Sequence, residues 1–223
     1  MSIERPSTKS DSYSALLWDV VSNAHWYVPE PGDKVLDFGA HFGMFSLYCA
    51  TRGAHVLAYE PTPATFGELI YTSAVALDAS IEHGGGIEPI NAAVSSKTGV
   101  ANFHTNKVST GNNSLLDREN TGIIFEVQTV SLHDALRGKM WDCVKVDIEG
   151  AEHDVFMNAS SEDLKLIRFL TMEIHNDLLP EQARRELVAR LKPEFPYTRE
   201  IFVKRHGLPT ADVATLLCVR HSR

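Results

Sequence analysis

The sequence predicts an α/β fold in which a mostly parallel sheet is covered by helices on both faces. Strand-like and helix-like segments alternate along the chain, and that alternation is typical of parallel strands joined by crossover helices. The 223 residues are 43% hydrophobic and 22% charged, the balance of a globular protein with an ordinary core. Because no linker or low-complexity tract divides the chain, we expect a single domain over residues 1–223.

Each element has its own pattern. Apolar spacing of helical period predicts a helix at 14–27, inside an N-terminal helical segment of residues 1–30. A second helix, at 64–78, is expected to bury one face, formed by Phe66, Leu69, Ile70, Ala74 and Leu77. β-rich runs predict the remaining strands, and the last two form an antiparallel pair. In chain order these strands cover 34–40, 55–61, 87–94, 143–148, 168–175, 197–205 and 213–220. Further helices are expected at 43–54, 132–138 and 180–191.

An elaboration over residues 98–130 interrupts the α/β pattern. It reads as a β-hairpin with a long polar loop, and the loop contains "GNNSLL" at 111–116. Gly, Asn and Ser tolerate unusual backbone angles, so this stretch could be a mobile lid. A plain solvated loop fits equally well.

Composition limits the partners. The formal net charge of −8 argues against general nucleic-acid binding, although a local basic patch for RNA stays open. No run approaches the roughly 20 apolar residues that span a bilayer, and the polar start lacks the apolar block of a secretion signal. Three separated cysteines in apolar surroundings indicate a reducing compartment. We therefore expect a cytoplasmic protein without membrane contact, and a homodimer is possible.

The first strand ends in a glycine turn, "LDFGAHFG". Its pattern is D-x-G-x-x-x-G, with Asp37, Gly39 and Gly43, so it lacks the glycines of a dinucleotide site. The glycines are expected to leave backbone N–H groups facing the crevice. An acid here would repel a pyrophosphate but suits a ligand that carries an ammonium and a sulfonium. The turn therefore favours S-adenosylmethionine over NAD. The alternative is that the two glycines only allow the chain to turn and bind no ligand.

The next two strand ends carry polar residues as well. Glu60 ends the second strand about 20 residues beyond Gly39, where an acid can accept both ribose hydroxyls. Asn91 ends the third strand and could bond the adenine edge. The neighbouring Ala40, Pro61 and Ala92 complete the predicted cofactor site. The alternative to a ribose contact is that Glu60 simply ends the strand in solvent and binds no ligand.

Acidic residues also crowd the stretch "CVKVDIEGAEHDV" at 143–155. We predict Asp147, Glu149, Glu173 and His175 as catalytic candidates, because they end two adjacent strands and could take a proton from an acceptor. Glu152 is assigned to the helix start, where an acid is favourable. A Lys145–carboxylate pair between strands, with His175 in the core, is the structural alternative. Asp147, Glu173 and Asn176 could hold magnesium, so a divalent metal is possible, but no metal is expected.

The chain resembles the FkbM-type methyltransferases. The resemblance rests on the motifs "VLDFGAHFGMFSL", "AYEPTPATFGEL", "INAAVSSKTGVANFHT", "NNSLL", "VKVDIEGAEHDVF" and "TMEIH", in that order between Lys34 and His175. It implies a Rossmann-like class I methyltransferase fold with seven strands, the last of them antiparallel. It also assigns Asp37, Gly39 and Gly43 to the methionyl end of the cofactor. His41 and Phe42 replace the Asn and Ile of many relatives, which affects packing.

The resemblance implies an enzyme that methylates a hydroxyl, or a carboxyl, of a small-molecule, sugar or secondary-metabolite acceptor. S-adenosylmethionine would be the cofactor and S-adenosylhomocysteine (SAH) its product. Two other functions stay open: a module that binds the ligand without turnover, and an NAD-dependent oxidoreductase. Asp147 and Glu173 together favour the enzyme, and the missing glycines disfavour the oxidoreductase.

Overall fold

The computed structural model of the protein describes residues 27–79, 84–106, 113–116, 121–175, 180–204 and 212–220. Apart from Tyr27, the predicted helix at 14–27 lies outside these residues, and so does Asn176. None of the helices in the described ranges combines the length and the apolar character needed to cross a membrane.

Seven strands form the main sheet, in the order β3-β2-β1-β7-β8-β10-β9. Strands β1, β2, β3, β7 and β8 pair in parallel, whereas β10 is antiparallel to both of its neighbours. This confirms the predicted mostly parallel sheet with an antiparallel last strand. The strands are β1 Lys34–Phe38, β2 His55–Tyr59, β3 Gly86–Ile90, β7 Trp141–Val146, β8 Ile167–His175, β9 Tyr197–Lys204 and β10 Asp212–Val219.

Helices cover both faces of this sheet, as predicted. One apolar cluster joins α1 and α2 to the sheet, and a larger one joins α3 to α6 to the opposite face. The helices are α1 Met44–Ala50, α2 Pro63–Ala79, α3 Leu132–Leu136, α4 Glu152–Met157, α5 Ser161–Lys165 and α6 Glu181–Leu191. Alternation along β1 sends Val35 toward α1 and Leu36 toward the other side.

The strand predicted at 87–94 is in fact two strands. Strand β3 of the main sheet ends at Ile90. The Ile90 carbonyl accepts a hydrogen bond from the N–H of Ala92, and this tight turn redirects the chain. The next strand, β4 (Ala93–Ser95), belongs to a second sheet with β5 (Gly99–Asn106) and β6 (Thr121–Ser131), in the order β4-β6-β5. Strands β5 and β6 pair antiparallel as a hairpin. The assignment of the whole chain to a single domain stays a prediction.

The predicted buried face of α2 is wrong in part. The helix buries Thr65, Leu69, Thr72 and Ala76, whereas Ile70 is 49% exposed and Leu77 is 66% exposed. The cause is the close approach of the glycine turn: a Cβ on Gly43 would lie 2.5 Å from Leu69 Cδ1. Small residues meet that turn, and the hydroxyl of Thr72 donates to the carbonyl of Phe42 at 2.7 Å. Packing space, rather than hydrophobicity, selects the buried face.

The topology places a crevice beside the ends of β1 and β7. From β1 the chain continues to β2 on one side, and from β7 it continues to β8 on the other. At such a switch point the loops diverge, and the space outside the carboxyl ends is open to a ligand. Gly39 follows β1 with φ of 74°, and a Cβ there would lie 1.8 Å from the carbonyl oxygen of Asp147. Only glycine lets the two strand ends approach this closely.

We predict that Gly39→Ala lowers the free energy of unfolding by more than about 3 kcal/mol. The left-handed conformation alone costs a non-glycine residue about 1–2 kcal/mol, and the collision with a backbone oxygen adds to that. Gly67→Ala is the matched control, because Gly67 lies inside α2 with open space around it. Denaturant unfolding followed by circular dichroism should find Gly67→Ala unchanged or stabilised by up to about 1 kcal/mol. Equal effects of the two changes would contradict the packing described for Gly39.

Candidate functional site

Lys145 connects the two sides of the crevice. It lies on β7 directly opposite Asp37 of β1. Its ammonium is 3.3 Å from Oδ1 of Asp37 and 3.7 Å from Oδ2 of Asp147, and it donates to the carbonyl of Gly39 at 2.9 Å. Burial alone would lower the pKa of Lys145, but the carboxylates of Asp37, Asp147 and Glu173 outweigh it and raise the pKa. Lys145 is therefore a fixed cation between the strands. This agrees with the Lys145–carboxylate pair expected from the sequence as the structural alternative.

Asp37 does not reach the crevice. Its side chain is fully buried, with Oδ2 accepting from the hydroxyl of Ser46 at 2.7 Å and Oδ1 facing Lys145. The expected direct contact of Asp37 with the methionyl end of a cofactor is therefore not what this arrangement provides. Strand alternation turns Asp37 toward α1 and away from solvent, so its influence on a ligand passes through Lys145.

The glycine turn also differs from the expectation that its N–H groups face a ligand. The N–H groups of Gly39 and Ala40 both donate to the carbonyl of Tyr59, at 3.1 and 2.9 Å. Gly43 donates to Ala40 at 2.8 Å, and the N–H of His41 donates to Glu60 at 3.1 Å. The N–H groups of Gly39, Ala40 and His41 thus bind the turn to the end of β2, and that of Gly43 closes the turn on itself. A turn used in this way offers few N–H groups to a pyrophosphate, which agrees with the missing dinucleotide glycines.

Glu60 is held in place at the end of β2. Oε1 accepts from the N–H of Thr62 at 2.8 Å, and Oε2 accepts from the N–H of His41 at 3.1 Å. Burial raises the pKa of Glu60, while those two hydrogen bonds and one from the Thr62 side chain lower it in part. Two carboxylate oxygens offer about four acceptor positions, so about one remains for a further donor. A carboxylate oriented in this way is suited to a ligand hydroxyl group.

The remaining predicted cofactor residues surround Glu60. The side-chain amide of Asn91 donates to the carbonyls of Glu60 and Pro61, at 2.9 and 3.1 Å, which joins the ends of β2 and β3. Asn91 is exposed and Pro61 half-buried, whereas Ala40, Gly43 and Ala92 are buried. A contact of Asn91 with an adenine stays a prediction, and it would use the amide oxygen.

The four catalytic candidates converge. We call Asp147, Glu149, Glu173 and His175 the strand-end cluster. Nε2 of His175 lies 3.3 Å from Oε1 of Glu149, 3.6 Å from Oδ1 of Asp147 and 3.9 Å from Oε1 of Glu173. The His175 ring is only 6% exposed. Burial alone would lower the pKa of His175, but Glu149, Glu152 and Asp147 raise it well above its ordinary value. Asn176, a suggested magnesium ligand, lies outside the described residues.

Glu152 supports this cluster from behind. It is fully buried, and its Oε1 accepts from the N–H groups of Ile148 and Gly150, each at 3.2 Å. The same oxygen lies 3.4 Å from Nδ1 of His175. The structural role expected for Glu152 at the helix start therefore extends to the turn after β7 and to the histidine.

Two residues of the insertion were missed as site residues. Ser114 is buried, and its hydroxyl donates to the carbonyl of Glu149 at 2.7 Å. Glu149 has φ of 54°, a left-handed conformation that non-glycine residues seldom adopt. Asn113 is also buried, and its amide donates to the hydroxyl of Thr62 at 3.2 Å. Within the described part of the "GNNSLL" stretch, both residues are docked, so a plain solvated loop is the wrong interpretation there.

His41 is a further residue that sequence reasoning did not place in the site. It has φ of 53° in the glycine turn, and its ring packs against Phe42 with a centroid distance of 3.9 Å. Burial lowers the pKa of His41 to about 4, and the charge of Lys145 adds to the effect. The ring is therefore neutral at neutral pH. Its positive φ is invisible in sequence, since nothing in the local pattern requires it.

Comparison with known protein families identifies the family of this chain. The profile of the Methyltransferase FkbM domain matches residues 37–207, most of the chain, including every predicted site residue. The chain belongs to the FkbM methyltransferase family. Hexuronic acid methyltransferase AglP of Haloferax volcanii is 27% identical over 158 residues, which cover 71% of this chain and 62% of that protein.

Solved structures agree with this FkbM-family fold. Methyltransferase FkbM from Methylobacillus flagellatus KT aligns with a TM-score of 0.55 at 16% identity, over 93% of this chain and 55% of that one. Magnesium protoporphyrin IX methyltransferase from Synechocystis PCC 6803, with bound SAH, aligns with a TM-score of 0.51 at 16% identity, over 99% and 90%. These likenesses confirm the predicted class I methyltransferase fold.

We predict that Ser114→Ala destabilises this FkbM-family protein by about 1–3 kcal/mol, since it leaves the half-buried carbonyl of Glu149 without this donor. Ser73→Ala is the matched control, because the Ser73 hydroxyl also donates to a backbone carbonyl at 2.7 Å but that hydrogen bond is exposed to solvent on α2. Urea unfolding of both variants should find Ser73→Ala within about 0.5 kcal/mol of the parent. A Ser114→Ala protein as stable as the parent would mean that the insertion does not hold Glu149.

Proposed function

We propose that the protein is an S-adenosylmethionine-dependent O-methyltransferase that acts on a hydroxyl group of a small acceptor. The observation that carries the proposal is the strand-end cluster, which gathers three carboxylates and an imidazole beside the crevice of an FkbM-family chain. Methylation of a hydroxyl releases a proton, and a carboxylate within reach of the acceptor can take it.

The cofactor fits the residues at the switch point. Glu60 presents a carboxylate whose orientation is set by two backbone N–H groups, and a ribose hydroxyl of the cofactor would donate to it. More acids than bases lie around the strand ends: the acids are Asp147, Glu149, Glu173 and Glu60, and the bases are Lys145 and His175. Such a site attracts a ligand with a sulfonium and an ammonium. When bound, S-adenosylmethionine supplies an electrophilic methyl group.

The residues of the chain divide the remaining work. Lys145 keeps the glycine turn and Asp147 at a fixed separation, because its ammonium contacts both. Ser114 holds the backbone of Glu149. The acceptor oxygen forms a bond to the methyl carbon as the carbon–sulfur bond breaks, and the hydroxyl proton passes to a carboxylate of the strand-end cluster. The products are a methyl ether, SAH and a protonated carboxylate, which then loses its proton to water.

A sugar hydroxyl is the acceptor class that we put first. The relative from Haloferax volcanii is named for hexuronic acid, and it is 27% identical to this chain. The matched part covers only 62% of that protein, so its acceptor supports a class of substrate for this chain, not a compound. Transfer of a labelled methyl group from S-adenosylmethionine to pools of uronic acids and other glycosides is the direct test. Turnover with carboxylic acids alone would indicate ester formation instead.

We predict that SAH binds in the micromolar range and that Glu60→Ala weakens its binding by about 1–3 kcal/mol, the cost of losing charge-assisted hydrogen bonds. Calorimetry of both proteins with SAH and with NAD measures this. NAD binding tighter than SAH would make the protein a dinucleotide-binding one. SAH binding without any methyl transfer to the acceptor pools would favour the binding module.

Asp33→Ala is the control for this change. Asp33 is a buried carboxylate that accepts a backbone N–H, from Glu30 at 2.9 Å, but it lies at the amino end of β1. Both variants should lose stability, and only Glu60→Ala should lose affinity. If the dissociation constant of SAH is unchanged in Glu60→Ala, the role of Glu60 is structural: it connects the end of β2 to the glycine turn.

We predict that Asp147→Asn lowers turnover by about 10²–10⁴-fold while SAH affinity and the fold are retained. Lys145 keeps its partner Asp37, so the strands stay joined. Asp142→Asn is the control on the same strand, because Asp142 lies at its amino end, where it pairs with Arg168 at 2.8 Å. Single-turnover transfer of labelled methyl groups separates the two. Parent-like turnover in Asp147→Asn would remove Asp147 from the chemistry.

A further inference from the structure

We propose that Asp147, Glu149 and His175 bind a divalent cation at the strand-end cluster. The inference deepens the proposed methyl transfer and rests on it for its purpose, since the cation would hold the acceptor hydroxyl. Its geometric basis is independent of that reaction. The three side chains come from the end of β7, from the turn that follows it and from the end of β8.

The spacing of the three ligand atoms suits a metal. One nitrogen and two oxygens, one from each residue, lie within 4.8 Å of one another. Nε2 of His175 is 3.3 Å from Glu149 Oε1 and 3.6 Å from Asp147 Oδ1. Ligands about 2.1 Å from a tetrahedral ion are separated by about 3.4 Å. The two separations from His175 are therefore already close to the value for ligands of a common ion.

A buried carboxylate stands behind the histidine. Glu152 is fully buried, and its Oε1 lies 3.4 Å from Nδ1 of His175 on the side of the ring away from the cluster. Among the described residues its Oε2 has no hydrogen-bond partner. Metal-binding histidines commonly have a carboxylate at the second ring nitrogen, where it fixes the ring orientation. Glu152 meets that requirement, and its second oxygen adds a buried negative charge beside the proposed ion.

Several carboxylates gather around the ring of His175. Four carboxylates, those of Asp147, Glu149, Glu152 and Glu173, lie within 4 Å of the ring nitrogens. Lys145 is shared with Asp37 and faces Oδ2 of Asp147, whereas Oδ1 faces His175. Burying several like charges is costly unless they are paired or coordinate a metal. A divalent ion between Nε2 and the carboxylate oxygens would displace the Nε2 proton to solvent and supply two positive charges where the acids converge.

The donor set selects the ion. One imidazole nitrogen with two carboxylates suits Mn²⁺ or Zn²⁺ better than Mg²⁺ or Ca²⁺, which prefer oxygen ligands only. Three protein ligands leave a coordination position open, and an acceptor hydroxyl bound there would have a lowered pKa. That hydroxyl would lose its proton to Glu173, the cluster member outside the metal triad, before its oxygen takes the methyl group.

The test is calorimetry of the full chain after chelator treatment, with MnCl₂, ZnCl₂ and MgCl₂ as the titrants. We expect one saturable site for Mn²⁺ or Zn²⁺ with weaker Mg²⁺ binding. Glu149→Gln and His175→Ala should each weaken binding at least about tenfold, and Glu152→Gln by about 10–100-fold. His153→Ala is the control: His153 lies 3.7 Å from Glu186, with no further carboxylate paired to it among the described residues, and its loss should change nothing.

SAH binding measured on the same metal-free samples separates this inference from the proposed function. Parent protein that binds SAH but no metal ion overturns the metal site and leaves the methyltransferase standing. Metal binding without SAH binding overturns the methyltransferase and leaves the metal site. Metal affinities that are equal in the parent and in the Glu149, His175 and Glu152 variants would place the ion elsewhere and overturn the inference.

Discussion

The ammonium of Lys145 makes the interactions on which the rest of the site depends. It contacts a carboxylate of β1, the carbonyl of the glycine turn and a carboxylate at the end of β7, all within 3.7 Å. Without it, Asp37 would be a buried charge with only a hydroxyl donor, which is strongly unfavourable. Acids can therefore crowd into an otherwise apolar strand because one cation in the strand itself compensates for part of their charge.

Much of the main sheet could be predicted, because its strands are apolar runs bounded by turns. The end of β3 just before Asn91 and the buried face of α2 could not be predicted. Both depend on which part of the chain packs nearby, and that part lies 26 or more positions away in the sequence. The same limit applies to Asp37: the sequence places an acid before the glycine, but only the position of α1 makes Ser46 its partner. Local patterns specify elements, while the contacts between elements require the fold.

Some site residues could likewise be predicted from local patterns, and others depend on contacts between distant parts of the chain. Glu60, Asp147 and His175 were predictable because strand ends in a parallel sheet share one edge. Ser114 and Asn113 were not, since their partners are 35 and 51 residues away and an uncharged serine in a polar loop has no distinctive signal. The left-handed conformations of His41 and Glu149 were equally hidden. In both cases a side chain is held in an unusual place by groups that the linear order does not bring together.

The docking of Ser114 has a consequence for how the protein folds. The carbonyl that Ser114 bonds belongs to the turn after β7, and β7 lies between β1 and β8, so the insertion has its docking partner in place only where the sheet already holds β7. The turn that carries Glu149 thus acquires its final shape after the surrounding sheet exists. Assembly proceeds from scaffold to site, and a chain with a complete sheet but an undocked insertion would be folded by most spectroscopic measures while still lacking its active arrangement.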